Sequence, residues 1–257
     1  MKKFIFFLII LLTCVSCKKE ITITKCCECL EAQGISDKYI FPIRPGMEEW
    51  AELESHKAMV DVCQIPESIL KDMCTIGLVD TYYDYPLLFI IFAFNNINDG
   101  LQQISDEFNG FHELLLRDDC ATKLLRKYEL ISPADLDSTW TTLERGHFKQ
   151  KLQFMELTLA FEPVNEKFTP DEREKVIRLG LYKLKLKEAY DYSGPSQITN
   201  LYLIARALKK EEYEPFLGYI ERRDDLKYFL NGYLIFLNYV ADGDTIKSYG
   251  LSYLNNN

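Results

Sequence analysis

Thr169-Pro170-Asp171-Glu172 and, further along, Lys183-Leu184-Lys185-Leu186-Lys187 bound the stretch whose reading decides the fold. Its two ends carry opposite signals. Threonine at a cap position, proline at the first helical position and glutamate three residues after the threonine make a capping box. The closing five residues instead alternate charged and apolar, the period of a half-buried strand. Between them Ile177, Leu181 and Leu184 fall on one line of a helix, and the strong cap governs the whole stretch. We read one helix running through the alternation. The same start signal stands at Ser132-Pro133-Ala134-Asp135, ahead of apolar stripes over residues 140–161.

Helical spacing continues on both sides. Downstream, Ser193-Gly194-Pro195 breaks the chain, and Ile198, Leu201, Ala205 and Leu208 mark the next helix. Leu226, Phe229, Tyr233, Phe236 and Val240 mark a last one, stopped by Asp242-Gly243. Upstream, Trp50, Leu53, Val60 and Cys63 share one side of a helix, and Pro66 opens a short one. Thr75 is a cap for a helix ending at Tyr82-Tyr83-Asp84-Tyr85. Pro86 then precedes Leu87–Phe94, apolar all round and expected to be buried, as helix in keeping with the surrounding pattern or else as a strand. Leu101, Ile104, Phe108, Phe111 and Leu115 step by three and four, with Gly110 breaking the run. Asp118 or Asp119 caps a helix burying Ala121, Leu124, Leu125 and Tyr128. The expected fold is all-α, a multi-helical array of antiparallel helix hairpins, built as a bundle or an α-α superhelix-like layer. A subdivision near residues 162–169 and one continuous array both fit the pattern.

At the amino end, Lys2 and Lys3 precede an unbroken apolar run from Phe4 to Leu12, followed by Thr13-Cys14-Val15-Ser16-Cys17. Charge, apolar core and small residues are laid out as in an export signal. The run is shorter than the roughly 20 residues that cross a bilayer. Ending on cysteine, the leader resembles a bacterial lipoprotein signal. That resemblance implies lipidation at Cys17, which follows the small residue Ser16; Cys14 competes, standing where the family most often has leucine. The expected organisation is a signal peptide at 1–16, a lipidated N-terminus and tether at 17–38, and a helical globular domain at 39–257. Pro42, Pro45 and Gly46 punctuate its start. The implied location is the bacterial cell envelope, most often the outer membrane, with the membrane as a partner through the lipid.

A second resemblance lies in the globular part. Phe41-Pro42-Ile43-Arg44-Pro45-Gly46, Trp50 and Cys63-Gln64-Ile65-Pro66 are similar to stretches of a set of uncharacterised Bacteroidetes-type lipoproteins. So are Phe108-Asn109-Gly110, Leu115-Leu116-Arg117 and Thr199–Arg206. These are proline, glycine and core positions, so the likeness bears on fold and implies no activity.

Composition narrows the function. Of 257 residues, 47% are hydrophobic and 27% charged, the balance of a folded globule and not of a disordered tail. Acidic residues outnumber basic ones 39 to 30, for a net charge of −9. Nucleic acid calls for clustered positive charge, so the acidic excess disfavours it and no nucleic-acid partner is expected. Beyond the leader, export permits disulfides among Cys26, Cys27, Cys29, Cys63, Cys74 and Cys120. Cys63, Cys74 and Cys120 sit in helical patterns and are expected to be buried small hydrophobes.

Motif chemistry is sparse. Cys26-Cys27-Glu28-Cys29 lacks a fourth metal ligand, and His56, His112 and His147 are isolated from it. Asn95–Gly100 resembles a calcium loop but has Ile97 at a ligand position and Asp106 where a bidentate glutamate is needed. Asp118/Asp119, Asp224/Asp225 and Asp242/Asp244 stand at helix ends and read as caps. His147 lies among core-facing residues, as a buried structural histidine would. No metal, cofactor or catalytic residue is assigned. Tyr82, Tyr83, Tyr85, Tyr190 and Tyr192 cluster beside loops, where tyrosine offers amphipathic contact area. The expected function is a non-catalytic binding or scaffold lipoprotein presenting these aromatics to a protein or glycan. The alternative is an extracytoplasmic hydrolase with a site assembled from distant residues.

Overall fold

The structure, a computed structural model, describes residues 27–190, 192 and 194–256. The leader, Cys14, Cys17 and the first part of the expected tether lie outside them. Among the described residues there are fifteen α-helices, three short 3-10 segments and no strand, so the fold is all-α. The amino-terminal third holds α1 (Cys27–Ala32), α2 (Glu48–Ala51), α3 (His56–Val62), α4 (Glu67–Leu70) and α5 (Thr75–Tyr82). Next come α6 (Ile97–Glu107), α7 (Asn109–Leu116) and α8 (Cys120–Glu129). The long helices are α9 (Thr142–Ala160), α11 (Pro170–Ala189), α12 (Gly194–Lys210) and α15 (Tyr239–Asn256). Short helices α10 (Glu162–Asn165), α13 (Glu214–Ile220) and α14 (Asp224–Leu230) connect them.

At the centre stands α12. Every residue from Thr199 to Leu208 is buried, which is the condition of a helix packed on all sides. Around it lie α9, α11 and α15, and α5, α7 and α8 form a further layer reaching α9 through α8. Gly180 permits the closest approach, since a Cβ there would lie 2.7 Å from Ile204 Cγ1 across the α11–α12 contact. Buried apolar residues form one cluster running from Phe41 to Tyr253, across residues 162–169.

The capping box at Thr169 is formed: its hydroxyl accepts from Glu172 N, while the Glu172 carboxylate accepts from Thr169 N. The helix then runs through the Lys-Leu alternation. Lys183 and Lys187 lie one turn apart on the inner face, and Lys185 faces solvent. Lys183 Nζ donates to Tyr128 O at 2.6 Å and to Ile131 O, and sits 4.2 Å from the centre of the Tyr128 ring. Lys187 Nζ bonds both Glu156 oxygens, at 2.6 and 2.7 Å, and Ser196 O at 2.5 Å. Thr199 and Tyr128 hydroxyls also donate to Glu156. A charged network thus lies inside the core, reached from α8, α9, α11 and α12.

Several boundaries differ from the sequence reading. Ser55 caps α3 through Ala58 N, splitting the run expected to be one helix from Trp50 to Cys63. The break in the next pattern falls at Phe108, and Gly110 lies inside α7 against the Phe108 ring. The Ser132 capping box opens only a 3-10 turn; the long helix starts later on a second box, Thr141 and Glu144. The expected last helix is three elements. Gly232, at φ +103°, ends α14, and α15 then runs straight through Asp242-Gly243. Asp242 is buried there because Tyr219, Arg223 and Asn238 N converge on its carboxylate. Leu88–Ala93 is 3-10 helix and is only partly buried: Phe89 remains 48% exposed. With three residues per turn its side chains point three ways, and one row faces out.

Candidate functional site

Residues 27–46 cross the surface of α5 and are pinned to it. Cys27 and Cys74 form a disulfide, contrary to the expectation that Cys74 is an unbridged core thiol. Asp37 Oδ2 accepts from Cys74 N at 2.9 Å, just before α5, and Tyr39 N donates to Thr81 Oγ1 at 2.9 Å. Glu31 reaches Lys123 and Arg126 on α8, each at 2.6 Å. Phe41 is buried against Tyr39, Tyr85 and Phe108. Residues 27–38, expected to belong to a tether, are therefore a wall of the body.

Between this wall and α9 lies an open cleft of about 860 Å³. From the wall come Lys38, Ile40 and Arg44; from α5 and the turn after it come Asp80, Tyr83, Asp84 and Tyr85. Lys127 enters from α8. His147, Lys151 and Phe154 enter from α9, where their spacing of four and three puts them on one face. Phe89 closes one side, packed edge-on to Phe154 at 5.2 Å.

Charge is organised in this cleft. Asp84 pairs with Lys38 at 3.2 Å and with Arg44 at 2.9 Å. Asp80 pairs with Lys127 at 2.5 Å. Among the described residues no carboxylate lies within ion-pair distance of Lys151. Partial burial lowers its ammonium below the ordinary lysine value, and Lys127 lowers it further. His147 is exposed at the cleft rim, not buried as expected, because the first turns of α9 extend past the core before Leu152. Ser36 lines the same cleft, yet no hydrogen bond joins it to His147 among the described residues.

Of the predicted tyrosines, Tyr83 and Tyr85 line the cleft. Tyr82 is fully buried, stacked on Phe111 with its hydroxyl 2.8 Å from Thr158 Oγ1. Tyr190 is exposed at the end of α11, and Tyr192 is buried, donating to Pro133 O at 3.0 Å. The five do not form one surface. Among the described residues the free thiols are those of Cys63 and Cys120, both buried, and burial pushes them up to about 11 and about 12, away from the thiolate a nucleophile needs. His56 pairs with Glu107 at 2.9 Å. Among the described residues no group of three or more His, Cys, Asp or Glu is placed to hold a metal, and no helix is long and apolar enough to cross a membrane.

No family model, curated protein or solved structure matches this chain. The cleft must be read from its own chemistry. Lys38, Arg44, Lys127 and Lys151 escaped the sequence reading because they come from separate segments of an acidic chain. The one local signal that could have grouped any of the lining residues is the four-and-three spacing of His147, Lys151 and Phe154.

Proposed function

We propose that this chain is a lipid-anchored, non-catalytic binding protein of a bacterial envelope, and that the cleft between residues 36–45 and α9 holds its ligand. One observation carries the reading: a cleft of about 860 Å³ in which both carboxylates are engaged by lysine or arginine. That volume falls in the range of small-molecule sites, about 300–1,000 Å³. General acid–base chemistry needs a group able to exchange a proton with a bound substrate. The two carboxylates of the cleft, Asp80 and Asp84, are taken up as counter-ions that hold the cations in place, which leaves His147 and Lys151 without a free carboxylate partner for acid–base work. The lipid anchor rests on the leader's pattern alone, and the ligand is a small molecule in preference to a broad protein surface.

The test uses the mature chain and a plugged variant, His147→Trp, at the exposed rim. Both are incubated with small-molecule extracts of bacterial envelopes, and bound and unbound fractions are analysed by mass spectrometry. The expected result is a compound enriched at least tenfold by the wild type, unchanged in mass, and lost from the variant. Equal recovery by both proteins, or conversion of a compound to a product, defeats the reading. Mass spectrometry of the native protein checks the anchor: an unacylated mature amino end would remove it.

A further inference from the structure

Resting on the cleft as a ligand site, we infer that its ligand is a small dianion carried on an apolar body, with the acidic group seated at Lys151. Counting side-chain charge gives the class. Lys38 and Arg44 share the single carboxylate of Asp84, which leaves one positive charge in surplus. Lys127 and Asp80 balance. Lys151 forms no ion pair among the described residues, since Asp80 and Asp84 attract it only from beyond pairing distance and are themselves engaged by other cations, and it adds the second. A half-buried ammonium that no carboxylate pairs directly, repelled by Lys127 and Lys38, is a costly arrangement that an incoming anion relieves. A phosphomonoester, at about −1.5 to −2 near neutral pH, or a dicarboxylate matches that surplus.

The surroundings define the rest of the ligand. Next to Lys151 on the same helix face stands Phe154, and Phe89 packs edge-on against it while remaining 48% exposed. Such a wall offers ring faces and edges to a flat apolar group. The chain as a whole is acidic, with a net charge of −9, so the surroundings of the cationic cleft are negative. A long polyanion would meet that field along its length, whereas a small anion is drawn only into the cationic cleft.

Phenyl phosphate and phenylmalonate serve as dianionic probes, inorganic phosphate as the acid without the ring, and benzyl alcohol as the ring without the charge. Binding to the mature chain is read by calorimetry and by NMR shifts of cleft amides, with Lys151→Met and Lys151→Arg alongside. Thermal melts first establish that both variants fold. Expected is binding of at least one ring-bearing dianion tenfold or more tighter than benzyl alcohol and than inorganic phosphate. Lys151→Met should weaken it tenfold or more, and Lys151→Arg should largely retain it. Benzyl alcohol binding as tightly, or Lys151→Met leaving the dianion unaffected while cleft amides still shift, overturns the ligand class and spares the cleft. Inorganic phosphate binding as tightly removes the apolar body from the proposal. Shifts confined to residues outside the cleft, or no shifts with any probe, overturn both readings.

Discussion

Lys183 and Lys187 show how far a residue's meaning depends on its neighbours. In sequence they are two members of an alternating run; in the structure they are core residues held by named acceptors. Lys187 and Glu156 are both fully buried. Removing one partner of such a pair strands the other charge, at a cost of about 3–5 kcal/mol, whereas replacing both with apolar groups is often neutral. We therefore expect Lys187→Met to lower the urea midpoint sharply, and Glu156→Leu added to it to recover much of the loss. A double-mutant cycle measures the coupling. If the double variant is as unstable as the two single changes added together, the pair carries no special coupling.

Lys183 gives a pH signature. Burial lowers its ammonium to about 8, opposed by Glu156 and helped by Lys187, against an ordinary value of 10.5. The unfolded chain then holds this proton where the folded chain has released it, so stability rises as pH climbs from about 8 towards 10.5. Buried Tyr82, Tyr128 and Tyr192 act in the opposite sense. Burial raises each above 10, and their contribution is lost at more alkaline pH. The measurement is the stability difference between wild type and Lys183→Met across this range. It should move in favour of the wild type with rising pH; a flat difference would show that the lysine does not titrate there.

At the scale of elements, the capping boxes at Thr141 and Thr169 fix where two long helices begin, and the second was legible because its residue pattern is local. The Leu88–Ala93 segment was harder. An all-apolar run has no periodicity to separate a buried α-helix from a 3-10 turn with one row exposed. The amino-terminal wall was not legible either, since its anchors are partners distant in sequence. The Cys27–Cys74 bridge spans 47 residues, and closing a loop of that length restricts the unfolded chain by an amount worth about 2–4 kcal/mol. Cys27→Ser with Cys74→Ser should lower the melting temperature and speed proteolysis within residues 27–46. Limited digestion followed by mass spectrometry reads this directly. An unchanged digestion pattern would mean that the other contacts, those of Glu31, Asp37, Tyr39 and Phe41 among them, hold the wall without this bridge.

In the whole molecule, α12 organises the packing and the cleft forms where the amino-terminal wall meets α5, α8 and α9. The all-α class was written in the sequence because caps and three-to-four spacing act within one or two turns of chain. The sequence also carried the acidic balance, which disfavours nucleic acid, and the pattern of the leader. Only tertiary structure decided that Lys38, Arg44, Lys127 and Lys151 share one cleft, that Tyr82 enters the core while half-buried Tyr83 lines the cleft, and that Asp242 is a core residue within a helix. Local signals set which segments coil. Electrostatic neighbours are set by packing between segments far apart in the chain, and a single sequence holds no periodicity that marks such meetings.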